Sequence, residues 1–530
     1  TMVKKLSHLI PHQAKRLLIA ALGGAAMAMG GAPFEAWGVA WAGLVLMVML
    51  VEQALDSLDS NLSKRHVTAL GLAFGCGAHA LSTSWLVELV TEHTPIPWLF
   101  AWGIAFLGWV IQSIPFAATC FLRSTMDGIC CKCSATRERI GLLAWPIAGL
   151  VAFDGVPMVF PWRISHSQLG ALPWVQLAEI GGEPLLDALM WVTAWDLQRA
   201  LRRRKVFTGG TAGWLAAICL VAPTAWGTWR LEVERRQREK GPGIQVGAVQ
   251  HAISVRERMD PSKWNEQLAL SRSLGLALDA QQVDVVVWPE STFPWVLSQE
   301  ELNNDVFVKA WSRGFRSHLV FGAITKSKSG LHNSVIGMHR SQLIGIANKF
   351  VLMPFTERIP FREQLTILNH WVGPGLRPGP PLGAAIRVQG RKWGILNCYE
   401  DLFPDHVRNV VRTWKPSILS NHTNDAWFGQ TNALRLHHFL ARMRSIETRR
   451  DLVRATNTGI TSLIASTGEV IASLPPFQRG VLKVEAKLSE EITFWVRWGD
   501  RLTPASWMAL LAWVFFQKKA GRCLAFSSSC

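Results

Sequence analysis

A chain of 530 residues, 49% of them hydrophobic and with a formal net charge of +17, has room for more than one domain, and its averages conceal two populations. Residues 1 to about 230 are rich in Leu, Ala, Trp and Gly, whereas 231 to about 501 read as an ordinary soluble domain. So much positive charge would suit nucleic acid if it formed one patch; it is scattered between apolar runs instead, which excludes that partner class.

Those runs approach the ~20 residues that cross a bilayer as a helix. The candidate spans are Leu17 to Met29, Trp37 to Val51, Val67 to Val90, Pro97 to Leu122, Ile140 to Phe153, Trp174 to Trp195, Trp214 to Trp229 and Ala505 to Phe516. The first follows basic residues without a small-residue cleavage site, so it is expected as a retained helix. Lys4, Lys5, Lys15, Arg16, Lys64, Arg65, Arg123, Lys132, Arg137, Arg139, Arg199, Arg202 to Lys205, Lys518, Lys519 and Arg522 fall on alternate connections, a positive-inside pattern. It predicts a bundle of about eight transmembrane helices, seven in residues 1–230 and one in 502–530, with both termini cytoplasmic and the domain 231–501 outside. Glu179, Glu183 and Asp187 interrupt the sixth run; such acids either sit at the interface or face a bundle interior.

Cys130, Cys131 and Cys133 could bind a soft metal, but no His or second cysteine pair stands at zinc-site spacing, so no metal is expected. Beyond Gly241-Pro242-Gly243, short β-rich runs alternate with helical ones, including strand candidates at Val283 to Trp288, Leu343 to Ala347 and Trp393 to Asn397 and helix candidates at Pro261 to Leu278, Glu300 to Gly314 and Asn432 to Arg450. The alternation predicts an α/β sandwich. Phe293 to Asn304 and Pro360 to Leu382 read as inserted arms rather than core.

Chemistry-bearing residues recur at strand ends, where α/β folds place their sites. Glu290 ends a run of valines in Trp288-Pro289-Glu290-Ser291, Lys349 precedes Pro354-Phe355-Thr356-Glu357-Arg358, and Cys398 stands in Asn397-Cys398-Tyr399-Glu400. Singly, each has a plain alternative: Glu290 as a helix-starting acid, Lys349 as a solvated strand end, Cys398 as a small core residue. Together they resemble the Glu-Lys-Cys triad of the nitrilase, or carbon-nitrogen hydrolase, superfamily. Combined with the apolar half, and with Asn424-Asp425-Ala426-Trp427-Phe428-Gly429 and Arg454-Ala455-Thr456-Asn457-Thr458-Gly459, the chain resembles the apolipoprotein N-acyltransferases.

The resemblance implies a nitrilase-like αββα domain in the periplasm, carried on a multi-pass protein of the bacterial inner membrane, with no cofactor. Cys398 would be the nucleophile, Glu290 the base, and Lys349 with the Tyr399 N–H the stabiliser of the developing oxyanion. Glu357 and Glu400 would support them, by orienting Lys349 or the turn after the nucleophile. The acyl donor would be a phospholipid, giving up its sn-1 chain to a Cys398 thioester, and the acceptor the α-amine of a diacylglyceryl apolipoprotein. Trp295, Trp371, Trp427 and Phe428 are candidates for an apolar cover that excludes water, or for ordinary packing. The rival readings are a membrane-anchored amidase with the same triad, and a transporter or scaffold with an inactive external domain.

Overall fold

The computed structural model describes residues 12–57, 60–127, 134–203, 213–302, 304, 306–354, 356–358 and 375–527. Cys130, Cys131, Cys133, Trp371 and most of the expected arm at 360–382 lie outside them. The chain divides into two compact units, residues 1–230 with 500–530, and residues 231–499.

The first unit is helical, with helices His12–Ala28, Trp37–Ser57, Ser60–Ser82, Leu86–His93, Trp98–Gln112, Ile114–Asp127, Ser134–Gly155, Ala178–Arg202, Trp214–Lys240 and Leu502–Ser527, the second-last of which continues into the other unit. Small residues let its backbones approach: a Cβ at Gly24 would lie 2.9 Å from the Ala78 nitrogen, and one at Gly77 2.8 Å from the Ala21 Cα. Among the described residues, Trp37–Asp56 and Trp98–Met126 are long and apolar enough to cross a membrane, and Ser63–Ser82 with Leu86–His93, bent by 59°, makes a third if the pair is one span. That is fewer than the eight expected. Ile140–Gly155 and Leu502–Phe516 are apolar but short, and the expected sixth span carries too many acids.

Those acids are paired within the unit. Glu183 meets His166 at 2.8 Å, Asp187 meets Arg163 at 2.7 Å and accepts from the Ser165 N–H, and Glu179 meets Arg230 at 2.8 Å. Their helix is broken at Gly182, where φ is +62°. The expectation that Arg123 is a loop charge also needs correction. It lies buried in helix Ile114–Asp127, bonded to both oxygens of Glu52 at 2.9 and 3.0 Å, while the Trp145 indole donates to the same carboxylate.

The second unit is an αββα sandwich. Its strands are β1 (Gly243–Gln250), β2 (Val285–Val287), β3 (Phe293–Ser298), β4 (His318–Ser327), β5 (Gly330–His339), β6 (Gln342–Asn348), β7 (Ala384–Val388), β8 (Arg391–Asn397), β9 (Ile418–Thr423), β10 (Leu452–Thr456), β11 (Ser462–Ile464), β12 (Val470–Ser473) and β13 (Gly480–Lys487). One sheet runs β13-β1-β2-β4-β5-β6 with β3 beside β4, and the other β12-β11-β10-β9-β8-β7. The parallel centres are β1, β2 and β4 in the first sheet and β8, β9 and β10 in the second.

Side-chain alternation along each strand builds the layers. Val285 and Val287 of β2, with Trp393 and Ile395 of β8, fill the core between the sheets. Val286 packs outward with Leu268 and Leu278 of helix Trp264–Asp279, and Leu396 outward with Val407, Val410 and Val411 of helix Pro404–Trp414. The expected arm at Phe293 is in part core: β3 pairs parallel with β4, and Phe293 and Leu297 are buried.

Candidate active site

Three strands deliver the three expected residues to one end of the sandwich. Glu290 follows the parallel strand β2, Lys349 follows β6, and Cys398 follows β8. Lys349 sits opposite Asn333 of β5, to whose carbonyl its N–H donates at 2.8 Å. Gly322 of β4 makes room for the acid, since a Cβ there would fall 2.6 Å from the Glu290 Cα. Cys398 opens a 3₁₀ turn, Cys398–Leu402, at a φ of +54°, a left-handed conformation that is uncommon outside glycine and asparagine.

Around Lys349 the polar groups form one network. Its ammonium lies 3.3 Å from Glu290 Oε1 and 2.9 Å from Glu357 Oε2. The Asn333 amide donates to Glu290 at 2.7 Å and to Glu357 at 2.8 Å, and receives a bond from the Asn397 amide at 3.0 Å. The other Glu290 oxygen accepts the Asn424 N–H at 3.0 Å. Lys349 and Glu290 are both buried. The readings of Glu290 as a helix-starting acid and of Lys349 as a solvated strand end are therefore corrected: both were judged as local features, and the second sheet covers them.

The charges have clear physical consequences. Burial works against the Lys349 ammonium, but Glu290, Glu357 and Cys398 outweigh it and hold its pKa well above the usual lysine value. Cys398 keeps partial exposure, yet enough protein surrounds the thiol that burial, and then the Glu290 charge, push its pKa well above the usual range; Lys349 offsets this only in part. The resting group is thus the neutral thiol, because the lysine charge is already shared between two carboxylates. Nucleophilic chemistry at such a thiol would require a base to take its proton.

Glu400 works through the backbone. It accepts from the N–H groups of Phe350 at 2.7 Å, Val351 at 3.1 Å and Asn397 at 2.8 Å, and so ties the segment after Lys349 to the turn that carries Cys398. Glu357 contacts Lys349 directly and also caps the Met353 N–H at 2.8 Å. The Tyr399 ring is buried edge-on against Phe403, with centroids 4.8 Å apart.

Of the cover candidates, Trp295 is half-buried in β3, while Trp427 is exposed and Phe428 half-buried in the 3₁₀ turn Asp425–Phe428. Sequence reasoning missed Asn333, whose signal is an amide side chain inside the apolar strand β5. It also missed the ion cluster behind Cys398. There Asp401 meets His437 at 2.8 Å, Arg454 and the Asn421 amide; His437 reaches Asp425 at 2.9 Å; and Asn421 donates to the Cys398 carbonyl at 3.1 Å. Burial disfavours charge on His437, but Asp401 and Asp425 prevail and raise its pKa to about 9.

Comparison with known proteins agrees with this division of the chain. Residues 245–494 match the family pattern described as carbon-nitrogen hydrolase, and residues 23–196 match the apolipoprotein N-acyltransferase N-terminal domain. The apolipoprotein N-acyltransferase of Geobacter metallireducens is 31% identical over 86% of this chain and 88% of its own length. That of Pseudomonas syringae pv. tomato is 27% identical over 95% and 97%. Among solved structures, an amidase from Nesterenkonia sp. overlaps 50% of this chain and 93% of its own, at 16% identity and a TM-score of 0.35. With both halves matched in order and a relative above 30% identity along most of its length, the chain belongs to the apolipoprotein N-acyltransferase family.

Proposed function

We propose that this chain transfers the sn-1 acyl group of a phospholipid, through a thioester on Cys398, to the N-terminal α-amine of a diacylglyceryl apolipoprotein. The observation that carries the reading is the cysteine on a left-handed turn beside a buried Glu290–Lys349–Glu357 cluster, in a chain whose other half is a bundle of apolar helices. Family membership supports the same acyltransferase activity.

Glu290 takes the thiol proton as the Cys398 sulfur attacks the ester carbonyl. Negative charge grows on the carbonyl oxygen, and the buried Lys349 ammonium is the fixed cation for it; one such donor is worth ~3 kcal/mol in other enzymes. Collapse expels the glycerol oxygen of the lysophospholipid, which leaves with the Glu290 proton. In the second half the amine attacks the thioester and gives one proton to Glu290. The thiolate leaves, recovers that proton, and the product is an amide. Two lipidic substrates thus use one site in turn, the ping-pong pattern of a covalent enzyme. We further infer that the apolar unit holds the chain in the inner membrane with about eight spans, both termini cytoplasmic and the catalytic unit in the periplasm.

The test is intact-mass analysis of the purified chain after incubation with phospholipid and no acceptor. A hydroxylamine-labile gain of one acyl mass is expected, absent from Cys398→Ala and discharged by a diacylglyceryl lipopeptide. Turnover of small amides with no lipid adduct would instead establish a membrane-anchored hydrolase.

A further inference from the structure

The ring of His437 stands between two carboxylates. It lies on helix Ala433–Thr448, with Nε2 at 2.8 Å from Asp401 Oδ1 and Nδ1 at 2.9 Å from Asp425 Oδ1. All three side chains are buried. A carboxylate oxygen only accepts, so both ring nitrogens donate and the ring is an imidazolium. The charges that face it from neighbouring elements are Asp401 on the turn Cys398–Leu402, Asp425 on the turn Asp425–Phe428 and Arg454 on β10. His438, the next residue on its own helix, is bonded to the Ser462 hydroxyl at 2.9 Å; burial, then the Arg454, Arg442 and His437 charges, hold its pKa well below the ordinary 6.5.

The two acids depend on the ring unequally. Asp401 is also bonded by Arg454 and by the Asn421 amide, which in turn donates to the Cys398 carbonyl at 3.1 Å. Asp425 has no such reserve: its Oδ1 faces His437, and its buried Oδ2 has no hydrogen-bond partner. The residue before it, Asn424, is the one whose N–H holds the second Glu290 oxygen at 3.0 Å, and its own side chain accepts the Asn457 amide at 3.0 Å. Asp425 also counts among the charges that act against a Cys398 thiolate.

We propose that His437 is a positioning residue for acyl transfer: its charged ring ties the turn Asp425–Phe428 to the turn that opens with Cys398, and through Asn424 keeps Glu290 in place to take the thiol proton. The assignment rests on the acyl-transfer reading above. A neutral ring donates through one nitrogen only. Asp401 keeps Arg454 and Asn421, so Asp425 is the acid left as a buried, unpaired carboxylate. Its turn then shifts, and the base with it. The ring holds its proton up to about pH 9, whereas Lys349 is held well above the usual lysine value, so the first loss of rate on the alkaline side belongs to His437.

The experiment measures single-turnover acylation of Cys398 by phosphatidylethanolamine in detergent micelles, without acceptor, between about pH 6 and 10. The native chain, His437→Gln and Asp425→Asn are compared at limiting and saturating lipid. The native rate should fall above about pH 9. His437→Gln should be slowed about tenfold to a hundredfold at neutral pH, in the saturated rate rather than in the lipid concentration required, and should lose the alkaline fall. Asp425→Asn keeps an oxygen for the ring but removes one charge, so its fall should move down by about 1 to 3 pH units, the usual effect of one opposite charge at that distance. A native rate in His437→Gln overturns the assignment, as does a uniform loss that keeps the fall near pH 9, which marks a merely structural role. An unmoved fall in Asp425→Asn overturns it as well, and is readable even where His437→Gln does not fold. A native chain that takes no acyl group at any pH overturns the transfer reading itself, a result distinct from an unchanged pH profile.

Discussion

Asn333 donates to the two carboxylates that flank Lys349, so its loss leaves both acids short of a donor inside the protein. Asn333→Ala is expected to lower kcat about tenfold to a hundredfold, the rate equivalent of the ~1–3 kcal/mol of an unmade buried bond, because Glu290 is then no longer held in place. Single-turnover acylation of Cys398 measures it, and a native rate would remove Asn333 from the positioning network. His437 yields a pH prediction. Its folded pKa of about 9 lies above the ordinary 6.5, so the protonated ring contributes its full stabilisation below about pH 6.5 and loses it as pH rises through about 9. That shift amounts to ~3 kcal/mol. Thermal melting should show a steeper fall in Tm between pH 7 and 9 for the native chain than for His437→Gln; parallel curves would mean that the ring does not titrate there. Neither residue was legible as a site beforehand. Asn333 and His437 acquire their roles from partners on other segments of the fold, Glu290 beyond β2 and Asp401 in the turn Cys398–Leu402, 43 and 36 positions away in the chain.

At the scale of elements, the strands that precede Glu290, Lys349 and Cys398 follow from local pattern. Val285, Val286 and Val287 form a run buried on both faces, as a central parallel strand requires, and the polar residue that ends it falls at the carboxyl edge. Helix Pro404–Trp414, which the sequence reading passed over, has proline at its first position and buried Val407, Val410 and Val411 on one stripe. Its brevity and charged residues hid that stripe. β3 was read as part of an arm because Phe293 to Asn304 follows the strand before it so closely, yet it pairs with β4 at Ala323 and Thr325, beyond the residues that β2 occupies. Gly322 is where strand packing touches the chemistry. Gly322→Ala is expected to press on the Glu290 backbone, costing about 1–3 kcal/mol of stability and at least roughly a tenfold loss of acylation rate. Denaturant melting and a single-turnover assay check both halves, and a stable, fully active variant would show that β4 yields instead.

At the scale of the whole molecule, the two units have different solvents to satisfy. Residues 231–499 contain their own intersheet core and both helical layers. Expressed alone, this unit is expected to melt cooperatively and to be alkylated at Cys398 by a small electrophile, without taking acyl groups from bilayer phospholipid. Acyl transfer from vesicles at the full-length rate would show that the apolar unit is dispensable.

Composition and hydrophobic patterning were sufficient for the helical half and the α/β half and for placing Glu290, Lys349 and Cys398 at strand ends, because burial leaves a periodic mark on the residues themselves; grouping those three came from the likeness of their motifs to the nitrilase superfamily. What only the tertiary structure decided is how charges are shared: Lys349 between Glu290 and Glu357, and Glu400 among three backbone N–H groups. It also decided between the two places open to the acids of the sixth run, which are buried and paired with Arg163, His166 and Arg230. Electrostatic partnership depends on distance in space and on the surrounding dielectric, and neither is written in the spacing of residues along a chain.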